Sequence, residues 1–296
     1  MKLLKVLVLL IFFMHGDVSP VATNGDNLLT LTRMANASSQ FVVFDATWHK
    51  DKPDLSRYGL RPITLIGGQL WDNGARKDYL PNKNRIPALA DQALLNGGIV
   101  VLDIEHWTMK GDHAMVSESL SKCSIVLDWF HETYPVLQVG YYGFPPLRDY
   151  WRAIKGPGSK EYLEWQVEND ALRGLAGEVD ILFPSLYTFY PSREKWVTYA
   201  TAQISEARRY GGGKPVYVFL WPAYHESNRA LSGRSIEPEF WKLQLATARA
   251  KADGIVIWGG GGKPWNEDAP WWIVTKKFMK NIDRPVDRCL SERCRQ

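Results

Sequence analysis

This 296-residue chain lacks the residue patterns that metal, phosphate and nucleic-acid sites require. It holds three cysteines and six histidines, and no cluster of them has the spacing of a zinc site. His106, beside two carboxylates, has no second histidine three or four residues away. Neither metal nor cofactor is therefore expected. Thirty-six basic against 32 acidic residues leave a net charge of +4. Residues 1–22 and 283–296 each supply +1, so the body carries only +2. That near-neutral body has no electrostatic footprint for nucleic acid, and it neither demands nor excludes a polyanion. Two glycine runs, "GGGK" (Gly211 to Lys214) and "GGGGK" (Gly259 to Lys263), are each followed by proline where a phosphate loop needs Ser or Thr. No G-x-S-x-G elbow is present, which removes support for a serine hydrolase. Beyond the first residues no apolar run approaches 18, so no stable membrane insertion is expected.

What is present begins with a leader. Lys2 and Lys5 precede "VLVLLIFFM" (Val6 to Met14), an apolar run too short to span a bilayer. Residues 1–22 are read as an export signal and the protein as secreted, or periplasmic in a bacterial host. Asn36 in "NAS" is a glycosylation acceptor if the pathway is eukaryotic. Cys123 falls in a helical pattern and is expected to be a buried thiol. Cys289 and Cys294 lie in a polar tail, 283–296, where pairing and free thiols are equally compatible with the spacing.

Residues 23–282 read as one α/β domain. Seven apolar runs recur: Phe41 to Trp48, Ile63 to Trp71, Gly98 to Trp107, Leu137 to Pro145, Val179 to Phe189, Pro215 to Tyr224 and Gly254 to Gly260. They are near-continuous Val, Ile, Leu and Phe, the pattern of parallel strands buried on both faces. Helical patterns separate them, most ending in glycine. Alternation without a linker predicts a single (β/α) TIM-like barrel, seven-stranded and distorted, with a doubly wound open sheet as the alternative. Trp48, Trp71, Trp107, Tyr142, Tyr187, Trp221 and Trp258 all fall at or past the C-terminal end of a run, the end that carries the site in parallel barrels. Such a rim suits sugar rings, offering apolar faces together with N–H and O–H donors.

Within "VVLDIEHW", Asp103 and Glu105 are two residues apart and so share a face. They are too close in sequence to flank a glycosidic bond as an acid and nucleophile pair. Sharing a proton suits them better, with Asp103 ionised and hydrogen-bonded and Glu105 protonated as the acid. The nucleophile is then Asp45 or Glu226, from other strand ends, or the substrate's own 2-acetamido oxygen. Asp45, Trp107 and Trp221 join the expected sugar-binding set.

Four stretches resemble the hyaluronidase family of glycoside hydrolases, in order from about Phe41 to Asn266. "VLDIEHW" is similar to the family's D-x-E-x-W strand and "GYYGFP" to its tyrosine strand. "ENDALRGLAGEVDILFPSLY" is similar to the E-N-D helix leading into F-P-S-x-Y, and "GIVIWG" to the strand before the final helix. The resemblance implies a distorted seven-stranded barrel that cuts β-linked N-acetylhexosamine glycans such as hyaluronan or chondroitin. It implies Glu105 as general acid and Asp103 as the group that orients and tunes it. Tyr142 and Tyr187 would position the attacking acetamido group, and Trp258 would wall the sugar. The sequence departs in having Thr108-Met109 where the family has Arg-Pro after the tryptophan, in lacking the barrel cysteines, and in running from "GYYGFP" into Pro146-Leu147-Arg148. These departures bear on the glycan more than on the acid. Other polysaccharides, chitin-like, peptidoglycan or exopolysaccharide, and a glycan-binding barrel without turnover are the alternatives.

Overall fold

In the computed structural model, residues 41–282 are described. The leader, Asn36, Cys289, Cys294 and the tail lie outside the described residues. The apolar runs become short parallel strands: β1 (Val42–Thr47), β2 (Arg61–Pro62), β3 (Thr64–Ile66), β4 (Ile99–Leu102), β5 (Gln138–Tyr141), β6 (Tyr217–Leu220) and β7 (Gly254–Gly259). Their central residues, including Val100, Val101, Val139, Val218 and Ile255 to Ile257, have no exposed surface. A strand buried on both faces has no polar face to present, which is why the runs do not alternate.

Pairing is parallel throughout the ladders, in the orders β2-β1-β7-β6 and β3-β4-β5. Only Ile63 separates β2 from β3, so one run meets β1 at its start (Phe44 opposite Arg61) and β4 at its end (Thr64 opposite Val100). On the far side, the run from Val179 to Phe189 joins β5 to β6 through isolated bridges, Tyr142 with Phe183, Leu182 with Val216 and Ser185 with Phe219. Pro184 interrupts a regular ladder there because it has no N–H to donate. All seven runs thus enter one circuit of parallel pairing. The chain adopts the α/β barrel architecture expected of it, distorted at the fifth run.

Helices α1 (Ile86–Leu95), α2 (His113–Thr133), α3 (Tyr150–Ala153), α4 (Lys160–Asp170), α5 (Arg173–Glu178), α6 (Arg193–Tyr210), α7 (Pro238–Lys251) and α8 (Pro270–Met279) occupy the connections. Asp112, Ser159 and Ser192 cap α2, α4 and α6 by accepting backbone N–H bonds. The helical pattern between the fourth and fifth runs forms two helices, α4 and α5. After α4 the chain turns at Ala171 and Leu172, where buried Asn169 directs its amide to Trp165 O at 2.9 Å and accepts the Leu147 N–H at 2.7 Å. Cys123 is free and buried on α2. Among the described residues no helix is long and apolar enough to cross a membrane. The described residues belong to one compact unit.

Candidate active site

β4 ends at Leu102, and its ladder extends one residue further, with Asp103 N donating to Ile66 O at 2.8 Å. Gly67 permits this approach, since a Cβ there would stand 3.0 Å from Asp103 O. Ile104 is wholly buried. With that side chain fixed inward, Asp103 and Glu105 turn together into a pocket of about 160 Å³. A second close approach places the opposing phenols. A Cβ on Gly140 would sit 2.1 Å from Ile181 O, so only glycine lets β5 lie against the fifth run. Tyr142, two residues on, then reaches Ser185 Oγ at 3.0 Å.

Aromatic side chains form one wall of the pocket. The Tyr187 ring stands 5.7 Å from Tyr142 and stacks 5.6 Å from Trp258, and Trp221 meets Trp258 edge-on at 4.9 Å. Burial pushes the Tyr142 hydroxyl up to about 12 and holds Tyr187 well above the usual phenol range, so both remain neutral donors.

The charges in the pocket are unevenly provided for. Burial, reinforced by neighbouring Glu105 and opposed by Arg148, pushes Asp103 up to about 6. No side-chain hydrogen bond to its carboxylate is made among the described residues. Glu105 is 54% exposed and faces the Arg148 guanidinium at 3.5 Å. The hydrogen bonds expected around an ionised Asp103 are therefore not made among the described residues, and its burial favours the protonated form. His225 also lines the pocket, and burial, then Arg148, lowers its affinity for a proton. Among the described residues no three His, Cys, Asp or Glu side chains gather as a metal-holding group.

Of the expected residues, Asp103, Glu105, Tyr142, Tyr187, Trp221 and Trp258 line this one pocket, as does Glu226. Two expected sugar contacts do not. Asp45 is half-buried at the end of β1, where its carboxylate accepts Thr47 N at 2.9 Å, Thr47 Oγ1 at 2.6 Å and Lys52 Nζ at 2.7 Å. It ties down a strand end. Trp107 is buried, donates Nε1–H to Lys77 O at 3.0 Å and packs edge-on to Trp71 at 6.0 Å. It braces the loop that carries the carboxylates. Trp71 is likewise packed, and Trp48, 65% exposed, stands outside the pocket.

Arg148 and His225 are pocket residues that strand patterns missed. The signal for Arg148 lay in the buried polar residues of two helices. Asn169 Oδ1 accepts Leu147 N–H, while Trp165 Nε1 and Gln203 Nε2 both donate to Leu147 O, at 2.9 and 3.0 Å. That peptide is fixed, and Arg148 is next in line.

Comparison with known proteins agrees with the motifs. No protein-family model matches the chain. A hyaluronidase of Polistes annularis is 30% identical over 126 residues, 40% of this chain and 33% of that protein. The match thus spans about a third of the curated relative's length. Bee venom hyaluronidase superposes with a TM-score of 0.54 over 82% of this chain and 98% of its own, at 16% identity. Its complex with a hyaluronic acid tetramer superposes at 0.53, over 83% and 97%. In its motifs and in its barrel, the chain is hyaluronidase-like.

Proposed function

We propose that this chain is a secreted glycoside hydrolase acting on β-linked N-acetylhexosamine glycans, hyaluronan- or chondroitin-like, by acid catalysis with participation of the substrate's acetamido group. The observation that carries this reading is the convergence of Asp103, Glu105, Tyr142, Tyr187 and Trp258 on one pocket at the C-terminal end of the barrel. Glu105 is the acid. Sugar covering its exposed carboxylate would desolvate it and strengthen its hold on a proton, and Asp103, whose burial raises its own proton affinity, lies two residues away. Glu105 then protonates the glycosidic oxygen as the bond to the anomeric carbon breaks. Tyr142 and Tyr187, both neutral donors, orient the acetamido group whose oxygen attacks that carbon, and water later opens the resulting ring with retention. Trp258 and Trp221 supply the apolar wall on which a sugar face rests.

The likeness to hyaluronidases and the bound tetramer in the bee venom protein favour a glycosaminoglycan over chitin. The short apolar leader favours export. The deciding experiment incubates the protein with hyaluronan, chondroitin and chitin oligomers and weighs the products. Fragments heavier by one water from hyaluronan or chondroitin are expected. Unsaturated fragments without added water indicate a lyase, and unchanged chains after tight binding indicate a glycan-binding barrel.

A further inference from the structure

Resting on the glycan-pocket reading, we propose that Arg148 reads the charge of the substrate, binding the carboxylate of an acidic sugar unit next to the linkage cut at Glu105. Arg148 is the only permanent cation among the described residues lining the pocket, where Asp103, Glu105 and Glu226 supply three carboxyl groups. A pocket lined by acids alone repels an anionic sugar, and one guanidinium reverses that locally.

A guanidinium offers five N–H donors in a planar fork matched to a carboxylate. Arg148 uses few of them. It donates to Tyr142 Oη at 3.4 Å and approaches Glu105 at 3.5 Å, both at the outer limit of such contacts. Arg152, one turn along the chain, shows what a structural arginine does in the same fold. It grips Glu168 with two prongs at 2.9 and 2.5 Å and Asp149 at 2.8 Å. Arg148 is nonetheless held firmly at its root. Fully buried Asn169, Trp165 and Gln203 bind both polar atoms of the Leu147 backbone, and Asp149 caps α3 on the other side. A pinned backbone, a half-buried cationic head and loosely engaged donors describe a pre-organised anion receptor. Moving the guanidinium onto a substrate carboxylate also removes a cation from Glu105, which favours the protonated acid.

The test uses the full chain carrying Glu105→Gln, so that ligands stay intact. Binding of a hyaluronan hexasaccharide is compared with that of its carboxyl-reduced, neutral twin. The native sugar should bind roughly tenfold to a hundredfold tighter, the range of a charge-assisted hydrogen-bonded pair. Adding Arg148→Gln should bring the two to parity, and Arg148→Lys, which keeps the charge without the fork, should give an intermediate ratio. Parity in the parent, or a preference unchanged by both Arg148 variants, overturns the proposal. So does failure of both sugars to bind. Cleavage of hyaluronan with an Arg148-independent preference sinks this inference alone; an Arg148-dependent preference in a chain that cleaves no glycan sinks only the hydrolase reading.

Discussion

Asp45 and Asp103 stand at the C-terminal ends of two strands of the same barrel, each among apolar residues, and they have opposite fates. Asp45 accepts from a backbone N–H, a threonine hydroxyl and a lysine ammonium, all within its own loop. Asp103 has no such donors around its carboxylate among the described residues and a second carboxylate, Glu105, for company. A carboxylate given three donors is well provided for and has little left for a ligand. One left unsatisfied and desolvated has its proton affinity raised toward neutral pH, which is costly for stability and useful for chemistry. Provision of donors, more than burial or position on the barrel, separates the structural acid from the one proposed to serve chemistry.

The largest effect that would sharpen this contrast is on the partner of Asp103. Glu105→Gln removes the proposed proton donor from a half-exposed side chain without leaving a buried charge, so the protein should fold as before. Its turnover of hyaluronan or chondroitin should fall about 10²- to 10⁴-fold, the usual contribution of general acid catalysis. Undiminished turnover in steady-state assays would remove Glu105 from the reaction.

Stability should reveal the two aspartates next. Asp103 moves from an ordinary 3.8 to about 6 on folding. Because its folded value is raised, ionisation opposes the fold. The cost is absent below 3.8, grows as pH rises between the two values, and is complete above about 6. Asp103→Asn should therefore raise the unfolding free energy at pH 8, by at most about 3 kcal/mol from a shift of this size, and the gain should shrink on acidification. Urea titrations at pH 8 and pH 4.5 measure both ends, and a loss of stability at pH 8 would contradict the assignment. Asp45→Asn should do the reverse. Losing the charge that holds Lys52 and Thr47 should cost on the order of 1 kcal/mol while turnover is retained, and a collapse of turnover would return Asp45 to the site.

That pair also marks the limit of what could be read from the chain beforehand. The strand runs, the helix stops and the barrel follow from local periodicity and from apolar residues that cannot face water on either side. The convergence of Asp103, Glu105, Tyr142, Tyr187, Trp221 and Trp258 followed from their shared place at strand ends. What was illegible depended on donors arriving from elsewhere. Thr47 and Lys52 claim Asp45, and Lys77 claims the Trp107 indole. Both look like rim residues until their partners are seen. Arg148 was hidden for the converse reason. It lies seven residues past the end of β5, outside any strand pattern, and its position is set by Asn169, Trp165 and Gln203, buried polar side chains 18 to 56 residues distant in sequence from Leu147. Periodicity reports which face a side chain takes, and it carries no information about such long-range polar contacts.

The smallest expected effect discriminates between two chemistries. Glu226 lines the pocket, is exposed, and lies on the β6 side, across the barrel from β4. If the acetamido group is the nucleophile, Glu226 contributes only a diffuse negative field, and Glu226→Gln should change turnover by less than about tenfold, as expected for an exposed charge screened by solvent and salt. If Glu226 is itself the nucleophile of a two-carboxylate mechanism, the same change should stop turnover, and a glycosyl ester on Glu226 should be trapped by an activated sugar and found by peptide mass analysis. Acetamido participation makes a further demand that Glu226 cannot meet. A substrate whose acetamido oxygen is replaced by sulfur should still react, and one whose acetamido is removed should not. A modest Glu226 effect together with dependence on the acetamido group would leave Asp103 and Glu105 as the only protein carboxylates in the chemistry, side by side on one strand end.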